Sequence, residues 1–227
     1  RHTNGHLLWR LNENSNVISF GVVDYFLQPG HAYYEMKRCY APVFASVALD
    51  DHAGIYLTND TTRTIAGTVE VSLFHLVKNE RTHQMELPFT IEPDATARLC
   101  TLDEWGQIRK EQIVCVRVLD KRRTLLAETI QPLDIERRLP YPQQVGLSMI
   151  ASADTDTLLL RCEHYARCVS LHGDGFEPLF DDNFFDLLPG ETKCIRVLPS
   201  PSSGVIYAET AYDQTIVSCQ WGKEKEK

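Results

Sequence analysis

The chain has 227 residues, enough for one large or two ordinary domains, and its 43% hydrophobic and 24% charged content fits a globular protein. A net charge of −8 argues against nucleic acid, because gripping phosphates needs a basic face. No apolar run approaches the roughly 18 residues that cross a bilayer, so no membrane partner is expected. The seven cysteines are odd in number and form no CxxC. With no signal-like opening after Arg1, this points to a reducing compartment, the cytoplasm.

Residues 1–42 do not read like the remainder. A short apolar run surrounds Trp9, and a second ends in Asp24-Tyr25. The next stretch carries Gly30 and helix-spaced Tyr33, Met36, Lys37 and Tyr40, and stops at Pro42. One strand and one helix bury little by themselves, so this piece belongs to something larger.

Residues 43–136 change to short alternating runs separated by turn residues. In one of them Val69, Val71, Leu73 and His75 share a face. Seven such runs in about 90 residues, with no helical period, predict an immunoglobulin-like sandwich. The proline- and charge-rich stretch 137–144 reads as a linker. A second β set follows to residue 217, and 218–227 reads as a charged, solvated tail. The segments "FTIEPDATARLCTL" and "FDLLPGETKCIRVL" each place a proline turn before an alternating strand, with Pro93 and Pro189 separated by 96 residues (189 − 93). That spacing predicts a tandem pair of sandwiches. The fold class is therefore mainly β.

The chemistry-bearing candidates are few. In "TLLLRCEHYARC", Cys162, His164 and Cys168 fall on one face of an unbroken strand. The two cysteines would then be about 20 Å apart at ~3.3 Å per residue, too far for a bridge. Zinc would need a fourth ligand from elsewhere. "FDDNFFDLLPGE" fails the EF-hand template, because Phe185 takes the third ligand place and no glycine follows. Asp181, Asp182, Asn183 and Asp186 remain open as a calcium set of another kind, against a reading in which they shape a turn and Phe184, Phe185, Leu187 and Leu188 anchor a core. No GxSxG, phosphate loop or paired catalytic carboxylate is present, and no motif calls for a cofactor. Asn59-Asp60-Thr61 matches the N-glycosylation triplet.

The first 43 residues carry a more specific signal. Gly5, Leu7, Trp9, Leu11, Asn12, Ile18-Ser19, Asp24-Tyr25, Ala32-Tyr33-Tyr34, Lys37-Arg38 and Tyr40 to Val43 resemble the last barrel strand and helix of glycoside hydrolase family 2, in its β-mannosidase and exo-β-glucosaminidase branch. "FDDNFFDLLPGE" resembles a stretch in the last Ig-like domain of that branch. The resemblance implies a remnant of a (β/α)8 barrel at 1–42, then two Ig-like sandwiches at 43–136 and 137–217. It also implies a parent enzyme that is a retaining exo-β-glycosidase, whose two catalytic glutamates lie on earlier strands. By the same resemblance no catalytic residue lies in this chain, and Trp9 contributes to the floor under the bound sugar when the rest of the barrel is present. The implied partners are the upstream catalytic barrel of the same protein and, through it, a β-linked oligosaccharide. The family's Trp-Gln-Leu-Asn-Asp reads here as Trp9-Arg10-Leu11-Asn12-Glu13, so Arg10 replaces a Gln and Glu13 stands at the Asp. Ser15-Asn16 and Phe20 also depart from it. The alternative function is a stand-alone carbohydrate-binding or adhesion module, which would need an exposed aromatic platform on the sandwiches.

Overall fold

A computed structural model describes residues 7–16, 20–49, 54–102, 105, 111–152, 156–198 and 203–222. Gly5, Ile18-Ser19 and the last five residues of the tail lie outside them. The chain divides into two compact units, one of Arg38–Val145 and one joining Arg1–Lys37 to Gly146–Lys227.

In the first of these units, seven strands follow one another: β1 (Val43–Ala48), β2 (Gly54–Asn59), β3 (Ile65–His75), β4 (Glu80–Ile91), β5 (Ala95–Thr101), β6 (Gln112–Asp120) and β7 (Leu125–Pro132). They form two antiparallel sheets, β1-β2-β5 and β4-β3-β6-β7. Alternation of β-branched residues explains the packing. Val69, Val71 and Leu73 of β3 lie opposite Val118, Val116 and Val114 of β6, and all six are buried in the core that Val43, Ala45, Ile55 and Leu57 complete from the other sheet. Pro88 sits in β4, an edge strand, where its missing N–H costs the sheet least. Gly67 is required by close approach: a Cβ there would lie 1.9 Å from the Leu119 carbonyl oxygen.

The other unit contains all but the last two residues of the helix α1 (His31–Cys39), and strands β8 (Ser148–Ser152), β9 (Thr157–Arg161), β10 (Ala166–Asp174), β11 (Phe185–Leu187), β12 (Lys193–Arg196), β13 (Gly204–Glu209) and β14 (Val217–Trp221). Its sheets are β12-β9-β8 and β11-β10-β13-β14. Strand for strand this is the order of the first sandwich, so the chain is a tandem repeat of one Ig-like topology. The two prolines that mark the repeat hold the same place, in the turn between the fourth and fifth strand of each sandwich. Each is followed by a residue in left-handed backbone, Asp94 (φ 51°) and Gly190 (φ 78°).

Four details differ from the sequence reading. The run through Cys162, His164 and Cys168 is two strands, because a turn at 163–164 separates β9 from β10. Cys162 is buried, His164 exposed and Cys168 half-buried at a bulge, so they share no face. Residues 218–221, read from the sequence as tail, belong to β14, where Trp221 is buried and pairs opposite Gly204. The inward face of α1 centres on Tyr34, only 2% exposed, rather than on Tyr33, Met36 and Tyr40. The 137–144 stretch opens in a 3-10 turn (Glu136–Arg138) and buries Leu139 and Tyr141.

Candidate functional site

The acidic stretch at 180–187 builds a clasp. Asp181 exchanges bonds with Arg196: its Oδ1 accepts the Arg196 N–H at 2.8 Å, and its own N–H donates to the Arg196 carbonyl at 3.0 Å. Asp182 accepts the Asn183 N–H at 2.9 Å and pairs with Lys193 at 3.1 Å. Asn183 is buried and acts as a rung of sheet. Its Oδ1 accepts the Leu171 N–H at 2.8 Å, and its Nδ2 donates to the Leu171 carbonyl at 2.9 Å. Asp186 sits opposite the bulge in β10, where Cys168 adopts φ 53°. Its carboxylate accepts the Cys168 N–H at 2.8 Å, the Tyr165 hydroxyl at 2.6 Å and both contacts of the Arg167 guanidinium at 2.8–2.9 Å.

The four residues offered as a calcium set therefore point at four different groups of donors. Among the described residues, no three His, Cys, Asp or Glu side chains gather to hold a metal ion. What the stretch does hold is the helix. Tyr34 donates its hydroxyl to the Phe180 carbonyl at 3.3 Å, and Lys37 donates its ammonium to the Asp181 carbonyl. His31 stacks on Phe184 at 5.2 Å between ring centres, with Tyr34 tilted against the same ring at 5.9 Å. Burial pushes the Tyr34 hydroxyl up to about 12. Gln28 and Glu177 close the edge, and a cavity of about 260 Å³ lined by Tyr34, Leu171, Phe176, Phe180, Asn183 and Phe184, among others, remains behind the helix. In the sequence Tyr34 stands only within the family-like Ala32-Tyr33-Tyr34 and His31 belongs to no motif; their i, i+3 spacing was the available signal of a shared face.

Ahead of α1, the backbone of 11–13 is tied to 22–23. The Leu11 carbonyl accepts both the Val22 and Val23 N–H groups, and the Glu13 N–H donates to the Val23 carbonyl. Trp9, the one substrate-contact candidate, is 84% exposed, and its peptide bond to Arg10 is cis. Leu7, Leu11, Phe20, Phe26 and Leu27 are each more than half exposed in the same segment, an apolar density that free surfaces seldom carry.

The glycosylation triplet in the first sandwich is occupied internally. Asn59 is fully buried and its Nδ2 donates to the carbonyls of Arg63 (2.8 Å), Glu92 (3.0 Å) and Ile91 (3.3 Å), while its Oδ1 accepts from Thr61. The cysteines are all free thiols. Burial pushes the Cys162 thiol up to about 12.

Known proteins match this arrangement. A family model described as the mannosidase Ig/CBM-like domain matches residues 51–131, and the mannosidase Ig-fold domain model matches residues 141–209. Beta-mannosidase B of Neosartorya fischeri is 37% identical, over 87% of this chain and 25% of its own length; that of Aspergillus clavatus is 22% identical over the same shares. The chain thus spans about a quarter of the length of these curated relatives. A β-D-mannosidase structure from Dictyoglomus thermophilum superposes with a TM-score of 0.78 at 20% identity, covering 95% of this chain and 27% of the other. An exo-chitosanase from Amycolatopsis orientalis does so at 0.71 and 14%, covering 93% and 30%.

Fold and clasp together define a class: a tandem of mannosidase-type Ig-like sandwiches, the second carrying a docked helix. Within that class the chain is similar to the C-terminal, mannosidase-like region of glycoside hydrolase family 2.

Proposed function

We propose that this chain is the non-catalytic portion of a retaining exo-β-glycosidase that removes terminal β-mannosides, and that it braces the catalytic barrel of the same polypeptide. The observation that carries the reading is the concentration of exposed apolar side chains on 7–27, in a segment that runs straight into the clasped helix. Covering those side chains with the remainder of a barrel would remove them from water, at about 25 cal/mol per Å² of apolar surface. The second sandwich, by gripping Tyr34, His31 and Lys37, would then fix the strand that bears Trp9 under the sugar. Chemistry belongs to two glutamates upstream, one acid/base and one nucleophile, about 5–5.5 Å apart. This chain contributes a wall, one aromatic face and no cofactor.

Deleting residues 146–227 from the full-length polypeptide tests the bracing role. The expected outcome is loss of soluble, active enzyme, because the helix loses its clasp; an enzyme with unchanged kcat/KM would refute it. A stand-alone sugar-binding module finds less support. Among the described residues every exposed Trp, Tyr or Phe lies between Trp9 and Tyr40, outside the strands of both sandwiches. Titrating mannose and manno-oligosaccharides into residues 43–222, which keep β14, should give no saturable binding; millimolar or tighter affinity would restore the module reading.

A further inference from the structure

Two departures from the family strand meet each other in space. Arg10 and Glu13, which stand where the motif reads Gln and Asp, form an ion pair at 2.5 Å. The Glu13 carboxylate is 4% exposed, whereas the Arg10 side chain is 40% exposed. The other carboxylate oxygen, Oε1, accepts the Gly21 N–H at 2.6 Å. A Cβ at Gly21 would lie 2.4 Å from that same oxygen, so a larger residue there would have to displace the Glu13 side chain. One buried carboxylate thus joins the residue next to Trp9 to the far side of the loop, and the 11–13 to 22–23 backbone bonds close the remainder. Glu13 Oε2 faces the Arg10 guanidinium without a well-formed hydrogen bond among the described residues, so this buried charge is held by the ion pair and the Gly21 N–H, and it is costly to leave unpaired.

We infer that Glu13 is a positioning residue for the sugar-binding floor: through Arg10 and the Gly21 amide it locks the loop that presents the Trp9 indole. This rests on the reading, given above, that Trp9 lies under the substrate. Glu13 touches no reacting atom in this role. Its loss should let the indole wander, which weakens substrate binding more than turnover.

The test uses the full-length polypeptide with a nitrophenyl β-mannoside. Trp9→Ala examines the underlying reading and should raise KM about tenfold or more; an unchanged KM there defeats the floor reading and this inference with it. Given that rise, Glu13→Gln should raise KM about five- to tenfold with kcat within about twofold of the parent. Arg10→Gln should shift KM the same way, and it carries the test if Glu13→Gln does not fold. The double variant Arg10→Gln/Glu13→Gln removes the same lock that either single change opens, so its KM should stay within about twofold of the single variants. If Trp9→Ala is defective but the single charge variants keep the parental KM, or if their effects simply multiply in the double variant, the positioning role is overturned while the floor reading stands.

Discussion

Replacing Asp186 by Ala removes the acceptor shared by three donors at the β10 bulge. The Tyr165 hydroxyl belongs to a residue 1% exposed, and the Cys168 N–H is held at φ 53° by the bond it makes. Each lost bond at such a site costs about 1 kcal/mol, more where the donor stays dry. The Arg167 pair adds to this. Breaking a fully buried pair costs about 3–5 kcal/mol, but the Arg167 side chain is 23% exposed, so water recovers part and about 1–2 kcal/mol remains. The total is about 3–5 kcal/mol, a large fraction of a domain's stability. Asp186→Asn keeps the size and one acceptor oxygen and should lose about 1–2 kcal/mol. Urea unfolding of the 227-residue chain measures the loss, and hydrogen exchange assigns it to strands β8–β14 rather than β1–β7. A loss below 1 kcal/mol, or one shared equally by both units, would refute the view that this carboxylate organises the bulge. The same experiment with millimolar calcium added to the parent chain should leave the midpoint where it was. A rise of about 2.7 kcal/mol, the value for a ligand at a hundredfold excess over its Kd, would restore the cation reading of Asp181, Asp182, Asn183 and Asp186.

Further expectations concern single groups. Burial lifts the Tyr34 hydroxyl from 10.0 to about 12, so the stability it lends is complete below about pH 10 and falls as pH climbs to 12. That loss is about 2–3 kcal/mol; it should be absent from the Tyr34→Phe variant, so the stability difference between parent and variant changes by that amount between about pH 10 and 12. Thiol labelling followed by mass spectrometry should modify exposed Cys39 and Cys194 first and reach buried Cys115 and Cys162 only on unfolding; fast labelling of Cys162 at pH 8 would contradict its place in the core. Asn59→Ala should destabilise the first sandwich by about 2–4 kcal/mol, since three carbonyls and two Thr61 groups lose a common partner. Expression through a secretory pathway should leave the folded Asn59 unglycosylated; an occupied site would show that the carboxamide is accessible.

The repeat was legible because both of its signals are local. Alternating Val and Leu in β3 and β6, and a proline turn ahead of the fifth strand, appear in the sequence as they appear in the sheets. The misread places need partners distant in sequence. The break between β9 and β10 uses neither Gly nor Pro, so the period-two pattern runs through it; the turn at 163–164 exists because Cys162 and Tyr165 on either side are both buried. Strand β14 follows a polar stretch, and only pairing with β13 reveals it. The phase of α1 was off by one residue because Tyr33 and Tyr34 are adjacent and equally apolar. What selects Tyr34 is the Phe180 carbonyl, 146 residues away. The site itself was half legible. "FDDNFFDLLPGE" announced a built turn, but its acids are spent on backbone groups and on Arg167, Lys193 and Arg196, and its Phe184 on a helix. Glu13 gave no signal beyond its place beside Asn12, since its burial depends on a glycine eight residues later.

Hydrolysis of a nitrophenyl β-mannoside, measured side by side for the purified 227-residue chain and for the full-length polypeptide that carries it, tests the central claim most directly. The account predicts turnover by the full-length polypeptide and none above buffer by the isolated chain. Turnover by the isolated chain would contradict it.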